Sequence, residues 1–123
     1  MPDRSRVQEL ITYVESGRFP EAIERFYDDV VVMRENLEPP TVGRAANLAR
    51  ERTFTNYIAQ LHESSAKAVL IDGDRVVINW ILDFTGTDGK RSRIDQLALQ
   101  LWRGDRIVEE RFVYDPRTTD AAA

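Results

Sequence analysis

Apolar positions recur with two different periods along this chain, and the change of period divides it into halves. Over residues 5–16, Val7, Leu10, Ile11 and Val14 stand at i, i+3, i+4 and i+7, one stripe of a 3.6-residue repeat, which predicts a helix. Ser5 and Gln8 have the spacing of a capping box, and Gly17 supplies a left-handed stop. Pro20 suits a first helical turn, and Ala22, Ile23 and Phe26 give a second, shorter helix its apolar side up to about Tyr27. Asp28 and Asp29 break the pattern, and the β-branched run at 30–34 predicts a short strand. Pro39 and Pro40 make residues 35–40 a loop, because proline removes a backbone donor and restricts the residue before it. Residues 41–43 lead into a third helix expected to reach His62, with Leu48, Phe54, Ile58 and Leu61 toward the core and Tyr57 beside them.

Beyond His62 the repeat shortens to two. Residues 66–71, 75–84, 91–102 and 106–114 read as strands, separated by turns at 72–74, 85–90 and 103–105 that carry glycine with aspartate or other polar residues. Helices first and an antiparallel meander second make an α+β arrangement, with the helices on one face of the sheet. A single domain is expected over residues 1–116, followed by a frayed tail at 117–123.

Alternation splits each long strand into two sides. Val76, Ile78, Trp80, Leu82 and Phe84 form a wholly apolar side. On the next strand, Arg93, Asp95, Leu97, Leu99 and Leu101 oppose Ile94, Gln96, Ala98, Gln100 and Trp102; on the last, Val108, Glu110, Phe112 and Tyr114 oppose Ile107, Glu109, Arg111 and Val113. Giving the more apolar sets to the helices places Asp95 and Glu110 inside, among leucines and aromatics. A carboxylate so placed must pair, accept hydrogen bonds or take up a proton, which makes it a candidate for chemistry. The structural alternative is that Asp95 pairs with Arg93 or another arginine near the open end of the sheet. The opposite side, with Ile81, Ile94, Ala98, Trp102, Ile107 and Val113, is too apolar for a solvent face, and a homodimer through the outer sheet is expected.

Composition narrows the chemistry. The 123 residues, 42% hydrophobic and 31% charged, are those of an ordinary globular domain. The absence of cysteine excludes disulfides and thiolate metal sites, and one histidine excludes a multi-histidine site, so neither metal nor cofactor is expected. A net charge of −4, with arginines interleaved among acids, argues against nucleic acid. No stretch has the length of a membrane span and the N-terminus lacks a signal-peptide core, so a cytoplasmic protein is expected.

The run Phe-Tyr-Asp-Asp-Val-Val-Val, the proline loop, Val-Gly-Arg-Ala-Ala and the ending Gly-Asp-Arg-Ile-Val-Glu-Glu-Arg-Phe-Val-Tyr-Asp-Pro, in this layout, resemble the SnoaL-like branch of the nuclear transport factor 2-like superfamily. The resemblance covers nearly the whole chain. It implies a cone-shaped barrel, three helices packed on a curved, mostly antiparallel sheet, with a deep pocket between them and a sheet-mediated dimer. Against the ketosteroid isomerase pattern of that superfamily, Ile94-Asp95 matches the strand position of the aspartic acid that donates to the substrate oxyanion. The catalytic base of that pattern falls at Arg34, beside Glu35, and its oxyanion tyrosine falls on Leu10, so steroid isomerisation is not implied. The epoxide hydrolase pattern fails as well, reading Ile81-Leu82-Asp83 and Phe112 at its positions. The acidic residue that polyketide cyclases carry on the late strands falls near Phe112, with Glu110 the closest substitute.

Three readings follow: a cofactor-free isomerase, cyclase or dehydratase; a module that holds a small ligand without turning it over; and a dimeric interaction protein. In the first, Asp95 is the general acid or oxyanion donor, Glu35 or Glu110 the partner base, and Arg34 holds an anionic group. Tyr57, Trp80, Leu97, Phe112 and Tyr114 form the wall for a small apolar or aromatic ligand. The bland alternatives are that Trp80 and Phe112 are plain core, that Arg34 and Glu35 form a solvated ion pair, and that His62 caps a helix end.

Overall fold

The computed structural model describes residues 1–118. Three helices, α1 (Arg4–Glu15), α2 (Phe19–Phe26) and α3 (Arg44–Tyr57), lie against one sheet of β1 (Tyr27–Glu35), β2 (Thr41–Val42), β3 (Ile58–Asp72), β4 (Arg75–Gly86), β5 (Arg91–Arg103) and β6 (Arg106–Val113). The strand order is β2-β1-β6-β5-β4-β3, antiparallel throughout except where β1 runs parallel to β6. The fold is therefore the α+β cone, an open curved sheet roofed by helices. A short 3₁₀ turn, Pro116–Thr118, ends the described chain, and residues 119–123 of the expected tail lie outside it.

The apolar stripes become the core. Val7, Leu10 and Ile11 of α1 and Ala22, Ile23 and Phe26 of α2 are buried against Val76, Ile78 and Trp80 of β4, and Trp102 and Ile107 complete the cluster. Side chains of this kind each contribute roughly 1.5–3 kcal/mol when fully withdrawn from water. Gly17 turns out of α1 at φ 78°, a region a side chain rarely adopts. The expected capping box is not formed: α1 begins two residues earlier than its spacing implies, so Ser5 lies inside the first turn and Asp3 occupies the cap position without a side-chain bond.

The boundary between α3 and β3 differs from the sequence reading, and residues 41–42, expected as a lead-in to the helix, form the short strand β2. Helix α3 stops at Tyr57, and residues 58–62 open the fifteen-residue strand β3. Register shifts between Ile58 and Gln60 and between Leu61 and Glu63 interrupt the pleat. Ile58 and Leu61, three apart, consequently both pack on the Phe19–Leu82–Phe84 cluster, which imitates helical spacing in the sequence. The end of β4 is tight as well: a Cβ on Gly86 would lie 2.2 Å from Cζ of Tyr57, so only glycine fits under that ring.

Strand β5 has its sides exchanged relative to expectation. Val76, Ile78, Trp80 and Leu82 pair with Gln100, Ala98, Gln96 and Ile94, so these four, with Ser92 and Trp102, face the helices. Asp95, Leu97, Leu99 and Leu101 face outward, and Leu97 and Leu99 are each 42% exposed. A further shift at Leu101/Trp102 turns Ile107 into the core while leaving Glu110 and Phe112 on the inner side. Of the residues expected on an outer apolar face, Ala98, Trp102 and Ile107 are thus core and Ile94 faces the helices, while Val113 lies outside as expected and is joined there by Leu97 and Leu99. Among the described residues, no helix is long and apolar enough to cross a membrane.

Candidate functional site

Between the helices and the inner side of the sheet lies a cavity of about 220 Å³. Leu10, Val14, Ile23 and Phe54 roof it, and Trp80, Leu82, Ile94 and Phe112 form its floor. At about 30 Å³ per water in the liquid, its volume is that of roughly seven waters, the size of a small ring or short chain.

A chain of polar side chains runs through the wall. The Trp102 indole Nε1 donates to Gln100 Oε1 (2.9 Å), Gln100 Nε2 donates to Glu110 Oε2 (2.6 Å), and the Tyr27 hydroxyl bonds Glu110 Oε1. An indole N–H can only donate, so it fixes the Gln100 amide with its carbonyl toward Trp102 and its NH₂ toward Glu110. Oε2 of Glu110 must therefore accept. The Tyr27 hydroxyl is free of that constraint: it donates to an ionised Glu110 and accepts from a protonated one, releasing its own hydrogen in the second case. Glu110 is 2% exposed, and burial raises its pKa to about 7; the bonds from Tyr27 and Gln100 oppose the rise and the Glu51 charge adds to it.

A second carboxyl stands on α3. Glu51 lines the cavity and takes part in none of the hydrogen bonds or ion pairs of the described residues. Burial raises its pKa to about 7 as well, against the pull of Arg50 and with the Glu35 charge adding to the rise. One turn earlier, Asn47 borders the same cavity. At the cavity's edge, Glu35 is fully engaged: Oε1 accepts from the Tyr114 hydroxyl (2.9 Å) and Oε2 from Arg50 (2.8 Å). Burial, then the Glu35 bond and charge, push the Tyr114 hydroxyl up to about 12.

Of the residues singled out from sequence, Arg34, Glu35, Trp80, Glu110 and Phe112 border the cavity. Arg34 does so between Met33 and Glu35, while strand alternation sets its side chain beside Arg111, its register partner. Asp95 does not reach the cavity: it is exposed on the outer side and accepts from Asn79 Nδ2 (2.8 Å), not from an arginine. Leu97 is outside with it. Tyr57 stacks edge-on against Phe84 and donates to Asp88 (2.7 Å), and Tyr114 reaches the site only through Glu35. His62 bonds Thr85 from within β3 and caps no helix.

Sequence reasoning passed over Tyr27, Asn47, Glu51 and Gln100. The sign for Glu51 was present: it falls three residues after Leu48 and three before Phe54, a carboxylate within an apolar helical stripe. The others carried no comparable sign, since each takes its meaning from a partner far along the chain. No group of three potential metal ligands occurs among the described residues.

A profile of the SnoaL-like domain matches residues 7–110. No curated protein matches the chain. Similar solved structures include two proteins provisionally described as SnoaL-like polyketide cyclases. The one from Mesorhizobium loti is 22% identical, with a TM-score of 0.76 over 91% of this chain and 98% of its own. The one from Jannaschia is 14% identical, with a TM-score of 0.78 over 100% of this chain and 99% of its own. A protein of ketosteroid isomerase-like fold from Catenulispora acidiphila, in complex with trimethylamine, is 14% identical, with a TM-score of 0.74 over 97% of this chain and 91% of its own. At such identities the likeness establishes the fold alone.

Proposed function

This chain belongs to the SnoaL-like domain family, and on that premise we propose that its cavity takes a small apolar or polyketide-like molecule and performs acid–base chemistry on it without a cofactor: isomerisation, cyclisation or dehydration. The observation that carries the reading is the pairing of two carboxyls on one cavity, Glu51 and Glu110, each with its pKa raised to about 7. Because the charge of one disfavours ionisation of the other, neutral pH favours a state with a single ionised carboxyl. Glu51, unpartnered and facing the ligand space, is the base: its carboxylate takes a proton from carbon next to a carbonyl. Glu110 in its protonated form donates to Tyr27, whose hydroxyl hydrogen then points at the developing oxyanion. Glu51 returns the proton to the same or another carbon. The site of action in this reading is cytoplasmic.

The test is exchange of carbon-bound protons in deuterated buffer, followed by NMR across small cyclic ketones and β-diketones. The full chain is expected to accelerate loss of the α-proton signal over buffer, and Tyr27→Phe to reduce that acceleration about 100-fold, the usual scale for one oxyanion donor. Rates equal to protein-free buffer for every compound would sink the reading. Ligand binding without exchange supports instead a module that holds its ligand.

The outer sheet face bears on assembly. Leu97 and Val113 are register partners there, with Leu99 next on the strand, and all three are more than a third exposed. We propose that two copies pair through this patch. Sedimentation is expected to give a dimer that Leu99→Lys converts to monomer; a wild-type monomer at micromolar concentration rules the pairing out.

A further inference from the structure

Arg34 of β1 and Arg111 of β6 are register partners, so two guanidinium groups stand on adjacent strands at the outer side of the sheet. Arg34 borders the cavity only by its place on β1 between Met33 and Glu35; alternation carries its side chain outward. Both arginines are half-buried, and the Nε of each is enclosed without a hydrogen-bond partner. Neither takes part in any hydrogen bond or ion pair of the described residues. Arg4 and Arg75 also lack partners, but both are exposed. Like charges directly opposite on neighbouring strands repel, and partial withdrawal from water strengthens the repulsion. Only Nε is enclosed in each case, so the terminal nitrogens still reach the surface, with the fork geometry that takes a carboxylate.

Most acids around this pair are committed. Glu63 is held by Lys67 and Arg93, Asp83 by Arg91 and Arg93, and Asp115 by Arg117. Glu109, two residues before Arg111 on the same side, is exposed and forms no ion pair with either arginine. Asp95 is exposed as well: its Oδ1 accepts from Asn79 (2.8 Å), and its Oδ2 has no partner among the described residues. Register sets the outer side chains in rows. Arg34, Arg111, Leu99 and Val77 form the first, Val113, Leu97 and Asn79 the second, Asp95 and Ile81 the third. Successive rows lie about 7 Å apart along the strands, so Asp95 cannot reach the arginines of its own copy. The two unclaimed charges lie on either side of the exposed Leu97–Val113 pair.

We infer that the partner of this arginine pair is a second copy of the chain: a twofold axis runs across the strands along the Leu97–Val113 row, and the Arg34–Arg111 pair of each copy receives the Asp95 carboxylate of the other. The inference rests on the sheet-face pairing proposed above and sets its orientation. Such an axis lays the second row on itself, apolar on apolar, and the first row of one copy on the third row of the other. The dimer then holds an arginine–carboxylate contact at each end of the patch, with Oδ2 of Asp95 free to accept. Other axes do worse. One along the strands sets the arginines over arginines or over Leu99 and Val77, and one between the Arg111 and Glu109 rows leaves Leu97 and Val113 in water.

Charge exchange tests the orientation, read by sedimentation of full-chain variants whose folding is checked by circular dichroism. Arg111→Asp and Asp95→Arg each put two like-charge contacts into a homodimer and are expected to weaken it about 100-fold. An equimolar mixture of the two variants has one native and one exchanged contact in its heterodimer, because each copy supplies what the other has lost. The mixture is expected to dimerise within about threefold of wild type, and so is the double variant Asp95→Arg/Arg111→Asp. If Arg111→Asp does not fold, Arg34→Asp takes its place in the mixture. A wild-type monomer overturns the sheet-face pairing and this orientation with it. A wild-type dimer that both single variants keep, or a mixture as weak as its components, overturns the orientation while leaving the dimer. Inorganic phosphate that raises the melting temperature of wild type but not of Arg111→Asp, with Asp95→Arg still dimeric, assigns the arginines to a free anion and overturns it likewise.

Discussion

Glu51→Gln is expected to slow proton exchange by about 10²–10⁴-fold, the usual contribution of a positioned base, while the protein stays folded. The asymmetry between function and stability follows from what Glu51 lacks. Its carboxyl takes part in none of the described hydrogen bonds or ion pairs, so an amide of the same shape strands no partner. A carboxyl pushed to about pKa 7 by burial is also a burden to the folded state at neutral pH, and the amide removes it. The variant should melt at or above the wild-type temperature and have lost its chemistry. Glu35→Gln should be milder in rate, since both Glu35 oxygens are already held by Tyr114 and Arg50. Asp95→Asn, on the outer side, should leave the rate unchanged. NMR exchange rates and thermal melts on the three variants check all of this; wild-type exchange in Glu51→Gln removes Glu51 as the base.

Why Asp95 looked better than Glu51 from sequence is a matter of how polarity is distributed over β5. Leu97, Leu99 and Leu101 make the Asp95 side the greasier one, and Gln96 and Gln100 make the other look wet. The fold inverts this because Gln100 is consumed internally between Trp102 and Glu110, so a polar residue there costs little. The rule that apolar sides face inward holds for β4, where the whole set from Val76 to Phe84 is buried, and for β6 at Glu110 and Phe112. It failed where a polar network replaced apolar burial and where an outward patch stayed apolar. The first two helices and the antiparallel meander were legible because their apolar periods are local properties. Pairing partners eighty residues apart, such as Tyr27 and Glu110, are properties of register, which no local period carries.

The end of α3 teaches the same lesson through geometry. Ile58 and Leu61 keep a helical spacing into β3 only because bulges there reset the strand's alternation. A two-residue period interrupted by an extra residue gives three, and three is what a helix also gives. Extending α3 to His62 would have left Leu61 without its strand partner Phe84 and removed one wall of the cone.

The largest expected effect on stability comes from Glu110 and has an unusual sign. Most carboxylates here that shift are held low by partners: Glu63, to about 2, by Ser65, Lys67 and Arg93, and Asp83 by Arg91. Their support is present at neutral pH and fades only as pH falls below the ordinary carboxylate range. Glu110 goes the other way. Its pKa rises from 4.5 unfolded to about 7 folded, so between those values the folded protein holds a proton that the unfolded chain has released. Stability therefore falls as pH rises through this window and levels off above it, by about 3 kcal/mol for a shift of this size. Glu51, partly open to the cavity, adds in the same direction by a smaller amount. In Glu110→Gln the amide oxygen accepts from Gln100 and its NH₂ donates to Tyr27, the arrangement that protonated Glu110 adopts, so the neutral residue keeps both partners at every pH. Urea unfolding is expected to show wild type weaker at pH 8.5 than at pH 5, and Glu110→Gln to remove most of that slope. A wild-type stability flat or rising between those values would mean that Glu110 is ionised in the folded state from the start, and that the hydrogen Tyr27 is to lend the cavity is never released.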